Sequence, residues 1–361
     1  MFKEKFRNLY KFILLISFLY LFLLSIELLG SSLKLFGKDF AEKLIATTSN
    51  PFVGLFIGIL ATSLTQSSSV TTSIVVGMVA GNVLTLRNAI PIIMGANIGT
   101  TVTNTIVALA HVTRKEEFKR AFAAGTVHDF FNILTCATLL PLEIFFHPLE
   151  KSANFLAQNF AQIGGLKFVS PLKIITEPTV LFLKNLIPFT PILIILSLIL
   201  IFFSLSCLVK TLKSLVIKKF EIFLDKYLFR NILTAFLLGL IFTATIQSSS
   251  VTTSLVIPLA AGGLLTLRQV FPYTLGTNLG TTVTAILASL VTTHQLAVGT
   301  AFAHFLFNLY GILLVYALFK NLPVILAEKL SDAIYQKRIF AIFYVIFVFY
   351  LIPLALIFLF K

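Results

Sequence analysis

The stretch "QSSSVTTS" occupies residues 66–73, and the same eight letters return at residues 247–254. Both copies lie inside long runs of Leu, Ile, Val and Phe, where a hydroxyl is costly unless something satisfies it. The surroundings of the two copies fix the fold class first.

Hydrophobic residues make up 58% of the chain and charged residues only 12%, with a mean hydropathy of +0.99, whereas soluble domains carry about 25% charge. Apolar runs over residues 12–29, 191–209 and 339–360 approach or reach the roughly 20 residues that cross a hydrocarbon core of about 30 Å. The alternating pattern of an outer-membrane barrel is missing. The sequence therefore predicts an all-α integral membrane protein, with the lipid bilayer as its solvent.

The net charge of +14 would suggest a nucleic-acid partner in a soluble chain; here it follows from the bias of Lys and Arg to cytoplasmic loops, and no nucleic acid is expected. The basic clusters are Lys3, Lys5, Arg7 and Lys11; Arg114, Lys115, Lys119 and Arg120; Lys210, Lys213, Lys218, Lys219, Lys226 and Arg230; and Lys329, Lys337 and Arg338. All are assigned to the cytoplasmic side of the plasma membrane, which places the N-terminus inside. The first apolar run is too long for a signal peptide and lacks a small-residue cleavage site, so it reads as a retained helix. Cys136 and Cys207 both sit in apolar runs and read as small hydrophobes. No disulfide framework, metal centre or cofactor is expected from them.

Aligning Gln66 with Gln247 makes 23 of the 38 positions in 66–103 identical to 247–284, and after a shift of five residues "AFAAGTVHDFFN" (121–132) pairs with "AVGTAFAHFLFN" (297–308). The chain holds an internal duplication. Three crossings, near residues 89–110, 121–145 and 187–209, separate the two glutamines, and an odd number gives the copies opposite orientations. Charge agrees: residues 114–120 are strongly basic while their counterpart, 291–296, contains no Lys or Arg. Two inverted-topology repeats point to a secondary transporter with its site near the midplane. The expected units are a first repeat over 1–145, an outer connection over 146–186, a second repeat over 187–320, and a C-terminal loop and helix over 321–361.

Each "QSSS" follows an apolar stretch of 14 or 15 residues (51–64 and 231–245), about 21 to 22 Å of helix at roughly 1.5 Å per residue, too short to cross. Residues 51–81 and 231–262 therefore read as re-entrant helical hairpins tipped by "QSSS", which is tolerated at membrane depth only beside protein or a polar cavity. Next in each copy comes a spanning helix (88–110 and 269–290) that carries "GANIGTTVT" or "GTNLGTTVT". The glycines predict a broken helix there, followed by a further helix over 121–145 or 297–319. A break offers N–H donors at one end and carbonyls at the other.

Two tips and two breaks enclose one site. Gln66, Ser67, Ser68, Ser69, Asn97, Thr100, Thr101, Gln247, Ser248, Ser249, Ser250 and Asn278 are the expected substrate ligands. None is charged, and many are hydrogen-bond donors, which suits a tetrahedral oxyanion with bound sodium as countercharge. The combination suggests sodium-coupled phosphate uptake. The bland alternative is hydroxyls that glue helices together, at about 0.6 kcal/mol per contact, but duplication of eight residues with paired glycines argues against it. A carrier of another small anion, a dicarboxylate or sulfate, stays open. An intramembrane hydrolase is disfavoured because neither G-x-S-x-G nor H-E-x-x-H occurs.

The segments "TQSSSVTTS", "AIPIIMGANIGTTVTNTIVAL", "RAFAAGTVHDFFN", "LLPLE", "LKIITEP", "IQSSSVTTS", "LGTNLGTTVTAILASL" and "HFLFNLYGILL" resemble the type II sodium-coupled phosphate cotransporters, from about residue 51 to the last helix. The resemblance implies a plasma-membrane symporter of inorganic phosphate and sodium, the ions being co-transported. It also implies sodium-site roles for Thr277, Thr281 and Thr284, which Thr282, Gln66 and Asn97 join. The segment 147–185 is short, lacks Cys and has no glycosylation acceptor, as in a compact bacterial version. No acid occurs in 66–86, where some members of that family carry an Asp. The sequence leaves room for a homo-oligomer.

His128, Asp129 and Asn132 share a helix, and His304 and Asn308 repeat the pattern with Phe305 in place of the acid. Hydrogen bonding between helices is the expected role, with pH sensing as the alternative. Arg87 and Arg268 read as interfacial anchors. Glu27 and Glu143 are expected to be solvated near the headgroups.

Overall fold

The computed structural model describes residues 2–36, 38–163, 171–227, 231–292, 294–319 and 321–360; Arg230 of the third basic cluster and part of the 146–186 connection fall outside them. Every described element is helical. Helices α1 (Phe2–Leu33) and α2 (Lys38–Thr47) lead into α3 (Pro51–Thr65), α4 (Ser68–Ala80), α5 (Leu86–Gly99), α6 (Val102–Leu109) and α7 (Lys115–Phe146). After α8 (Pro148–Ile163) and α9 (Pro171–Leu186), helix α10 (Thr190–Tyr227) leads into α11 (Ile232–Ile246), α12 (Ser249–Ala261), α13 (Leu267–Thr292) and α14 (Gln295–Leu318). Helices α15 (Leu322–Tyr335) and α16 (Ile339–Phe360) close the chain. The run from α3 to α7 thus recurs as α11 to α14, following the sequence repeat.

Among the described residues seven helices are long and apolar enough to cross a membrane, and three of them, Leu86–Leu109, Lys115–Phe146 and Thr190–Leu212, separate the two glutamines. These match the crossings expected from the sequence. Large apolar side chains such as Leu9, Ile13, Phe203, Leu313 and Phe358 stand exposed on the outside, as a lipid-facing belt requires.

The four hairpin arms are shorter. Arms of 15 and 13 residues extend about 22 and 20 Å at roughly 1.5 Å per residue, short of a core of about 30 Å. Local chemistry fixes their ends. Asn50 caps α3 by accepting from the Phe52 N–H, with Pro51 at the first turn, and Asn231 forms a capping box with Thr234 on α11. Gln66 (φ 53°) and Gln247 (φ 60°) end the first arms in the left-handed conformation; Ser67 and Ser248 then start the second arms by accepting from the Val70 and Val251 N–H groups. The arms are tied side by side by hydroxyl pairs, Thr62 to Thr71 at 2.8 Å and Thr243 to Thr252 at 2.7 Å.

The glycines of the second spanning element differ from expectation. Helix α13 runs unbroken from Leu267 to Thr292, where a break was expected within 269–290. Even the first copy shows only a tightened turn, at Thr100 and Thr101, where the Thr101 N–H bonds the Ile98 carbonyl at 3.2 Å. The reason is packing. A Cβ on Gly95 would overlap the Leu55 carbonyl oxygen, one on Gly58 that of Ile92, and one on Gly99 would lie 2.5 Å from that of Ile59. Gly276 meets the Phe236 carbonyl and Gly239 that of Tyr273 in the same way, and Gly280 would place a Cβ 2.6 Å from that of Leu240. These small-residue rows bring the backbones of α3 and α5, and of α11 and α13, into direct contact.

Two acids also differ from expectation. Glu27 and Glu143 are buried, because the connection folds over them: Thr176 donates to Glu27, and Glu143 accepts from the Leu149 and Glu150 N–H groups at 2.7 and 3.0 Å, capping α8. Arg87 is exposed and pairs with Glu150 at 3.0 Å.

Overpacking a close helix contact costs about 1–3 kcal/mol or more. Gly95→Ala and Gly276→Ala are therefore expected to lower the melting temperature of the detergent-purified protein. Gly262→Ala, whose Cβ would meet nothing closer than 3.5 Å, leaves it unchanged.

Candidate functional site

The two hairpins meet at their tips. Ser69 Oγ donates to the Gln247 carbonyl at 3.2 Å and to Thr284 Oγ1 on α13 at 3.4 Å. Ser250 Oγ lies 3.4 Å from Thr100 Oγ1, at the tightened turn between α5 and α6. Each tip therefore touches the spanning helix of the other copy. Each also brings together the N-terminal end of one arm and the C-terminal end of the other, offering N–H donors beside carbonyl acceptors.

Behind the tips the copies exchange asparagine and histidine bonds. His128 Nε2 meets Asn278 Oδ1 at 2.5 Å, and His304 Nε2 meets Asn97 Oδ1 at 3.4 Å. Asn278 Nδ2 donates to Asn132 Oδ1 at 2.7 Å, and Asn308 Nδ2 to Asn97 Oδ1 at 3.3 Å. Asn132 Nδ2 donates to the Asn97 carbonyl at 2.5 Å. The pairs His128–Asn278 and Asn132–Asn278 have counterparts in His304–Asn97 and Asn308–Asn97, whereas Asn132–Asn97 joins two helices of the first copy. The hydrogen bonding between helices expected for His128, Asn132, His304 and Asn308 is thus present.

The candidate ligands separate into groups. Ser69, Ser250, Gln247, Thr100 and Thr284 converge at the tip contact. Ser67 and Ser248 cap their helices. Ser68 and Ser249 are buried beside them, while Gln66 is exposed. Asn97 and Asn278 join the bonds between copies. Thr101, Thr277, Thr281 and Thr282 donate back to carbonyls of their own helices, at 2.7, 2.8, 2.9 and 2.7 Å.

Not every polar atom here is satisfied. Gln247 Oε1, Thr103 Oγ1 and Ser73 Oγ are buried with no hydrogen-bond partner among the described residues, and buried polar atoms are normally paired. Thr103 is the counterpart of Thr284, and Ser73 closes the first serine run. Hydroxyls and an amide oxygen with spare capacity, in a set without a fixed charge, can take an oxyanion together with a hard cation such as sodium.

Sequence reasoning missed Asn104, which accepts from Thr253 Oγ1 at 2.5 Å and reaches His128 Nδ1 at 3.1 Å. Its counterpart is Ala285, and that asymmetry between copies was the available signal.

Fold and site together define a multi-pass helical membrane protein whose charge-free polar site lies between two helical hairpins. The chain belongs to the Na+/Pi-cotransporter family, whose sequence model matches residues 21–168 and 200–357. It is 36% identical to sodium-dependent phosphate transport protein 2B of Homo sapiens, over 97% of this chain and 65% of that protein. Identity to sodium-dependent phosphate transport protein 2A of Ovis aries is 35%, over 94% of this chain and 66% of the relative. The chain thus spans about two thirds of the length of these curated relatives. No solved structure matches it.

Asn132→Ala would leave the Asn97 carbonyl and the Asn278 amide each short of a partner, at about 1–3 kcal/mol apiece. A lower melting temperature is expected. Thr138→Ala, which removes only a bond to the Leu134 carbonyl of the same helix, should be nearly neutral.

Proposed function

We propose that the protein is a secondary active transporter that carries inorganic phosphate with sodium across the plasma membrane, and that it is not an enzyme. The observation that carries this reading is the contact between two hairpin tips rich in hydroxyls, amides and helix ends but lacking charge. A phosphate anion in such a place has no fixed countercharge, and burying an unpaired ion is prohibitive, so cations must enter with it. The names of the relatives, sodium-dependent phosphate transport proteins, support the same pair of solutes.

In this reading the copies are inverted in the membrane, with the N-terminus in the cytoplasm, and the hairpins enter from opposite sides. The reciprocal contacts and the three spanning helices between the tips support it. Ser69 and Ser250 then serve the anion, with Ser68, Ser249, Gln66 and Gln247, while Thr284, Thr277, Thr281 and Thr282 serve sodium. Rocking of one part against the rest exposes the site alternately to each side.

Radiolabelled phosphate flux into proteoliposomes tests the reading directly. Uptake is expected with an inward sodium gradient and not with choline in its place; equal rates would defeat it. Excess dicarboxylate or sulfate should leave the flux intact, and competition by either would favour another anion as substrate. Ser69→Ala and Ser250→Ala should each weaken phosphate affinity about ten- to hundredfold, the loss of one hydrogen bond to a charged group.

Orientation has its own test. With Cys136 and Cys207 replaced, Ser69→Cys and Ser250→Cys are expected to react with an impermeant thiol reagent in a manner that sodium and phosphate shift in opposite directions. Labelling of both from one side only, indifferent to the solutes, would rule out the inverted arrangement.

A further inference from the structure

Three metal-ligating side chains come together where α7 ends and α8 begins. Glu143 lies near the end of α7, His147 caps that helix, and Glu150 sits in the first turn of α8. One ligand atom from each, a carboxylate oxygen or an imidazole nitrogen, lies within 4.8 Å of the other two. The local chain dictates this. Glu143 and His147 are four residues apart and share a face, and the left-handed backbone at His147 (φ 54°) turns the chain so that Glu150 comes back beside both.

The spacing suits a shared ion better than direct bonds. His147 Nδ1 stands 3.6 Å from Glu150 Oε2, too far for a hydrogen bond. Two ligands held at about 2.0–2.2 Å on a tetrahedral zinc ion stand about 3.3–3.6 Å apart. Glu143 is buried, and its two oxygens accept one backbone N–H each, from Leu149 and Glu150. A carboxylate oxygen can take two partners, so each keeps a lone pair.

Arg87 now holds the place of a cation. Its Nε lies 3.0 Å from Glu150 Oε2, on a side chain 62% exposed that water can hold instead. A cavity of about 200 Å³ adjoins the cluster, lined by Glu143, His147, Arg87, Thr48 and Ser49 among others, with room for the water that completes an open zinc site. Solvated acids alone would offer only oxygen. The imidazole adds nitrogen, which favours zinc and its neighbours over calcium and magnesium.

We propose that Glu143, His147 and Glu150 form a site for a divalent transition-metal ion of the zinc type, separate from the hairpin tips. Glu150 exchanges the guanidinium for the metal, and Arg87 is released to solvent. The ion ties α7 to α8 at the corner where α8 leaves its own copy: Tyr310 of α14 donates to Ser152 at 2.9 Å, and Phe160 meets Phe302 edge-on. The site does not depend on the sodium-coupled reading.

The test is zinc binding to the purified full-length chain after chelator treatment, with Cys136 and Cys207 replaced so that no thiol competes, and with calcium present. A single zinc ion per chain is expected, and cobalt in its place should show the visible absorption of a four- or five-coordinate site. His147→Gly removes the imidazole where the backbone favours glycine, and Glu150→Gln keeps the shape of the acid. Each is expected to weaken zinc binding about tenfold or more, since even groups behind the ligands contribute that much. Arg87→Ala removes the competing charge and should tighten it by up to about fivefold. Glu143 is left in place because it caps α8. A chain that binds no zinc, zinc displaced by an equal concentration of calcium, cobalt that keeps the spectrum of its hexa-aqua ion, or unchanged affinity in both His147→Gly and Glu150→Gln would each overturn the inference.

Discussion

Direct contact between helix backbones is the constraint on which the structure depends. Glycines at 58, 95 and 99, and again at 239, 276 and 280, let the first arm of each hairpin lie against the following spanning helix with no side chain between them. Lipid gives helices little hydrophobic reason to associate, so close van der Waals contact and polar bonds hold them together. The hairpin arms have further ties, the hydroxyl pairs between the arms and, for α3, the stacking of Phe52 and Phe56 on Phe360. Pressed against α5 or α13 along its length, the first arm carries its serine tip to the spanning helix of the other copy.

The polar interior has two layers with different demands. The asparagine and histidine bonds between α5, α7, α13 and α14 are made between neutral groups, and in a medium of low dielectric each is strong when paired and costly when not. They hold the copies together. At the tips the bonds run between 3.2 and 3.4 Å, and the oxygens of Gln247, Thr103 and Ser73 are unmatched. Groups with spare hydrogen-bonding capacity are what a site needs if it is to exchange partners with a solute.

Much of this was legible in the sequence. Asn50 before Pro51, the length of the arms and the duplicated "QSSS" specify hairpins through local capping and arithmetic, and no distant contact had to be guessed. The glycines of "GTNLGTTVT" misled, because a glycine that breaks a helix and one that admits another backbone look the same in one dimension; only the position of α11 against α13 decides. Thr277, Thr281 and Thr282 bond back to carbonyls of their own helix, as Thr101 does at the tightened turn, so this bonding does not separate the two copies either. Glu143 was hidden for a similar reason, since its partners are the first N–H groups of a helix whose path over the core is a tertiary matter. Asp129 was visible as an acid without a counterpart in the second copy, but its unmatched oxygen appears only once α6 and α16 are packed around it.

Charge distribution ties these layers together. Had the tips carried Arg, the site would bind an anion firmly and would itself be a buried charge whenever the anion left, with a desolvation cost of several kcal/mol at each turnover. Neutral donors avoid this: under the proposed function the countercharge would arrive and leave with the anion, and no fixed charge would stay buried between turnovers. Asp129 is the exception, a carboxyl buried deep in the first copy. The internal repeat supplies two similar halves, and they depart from that similarity at Asp129, Thr105 and Asn104, whose counterparts are Phe305, Ile286 and Ala285: only the first half has these polar side chains to satisfy, and it does so with Tyr344, Thr253 and His128.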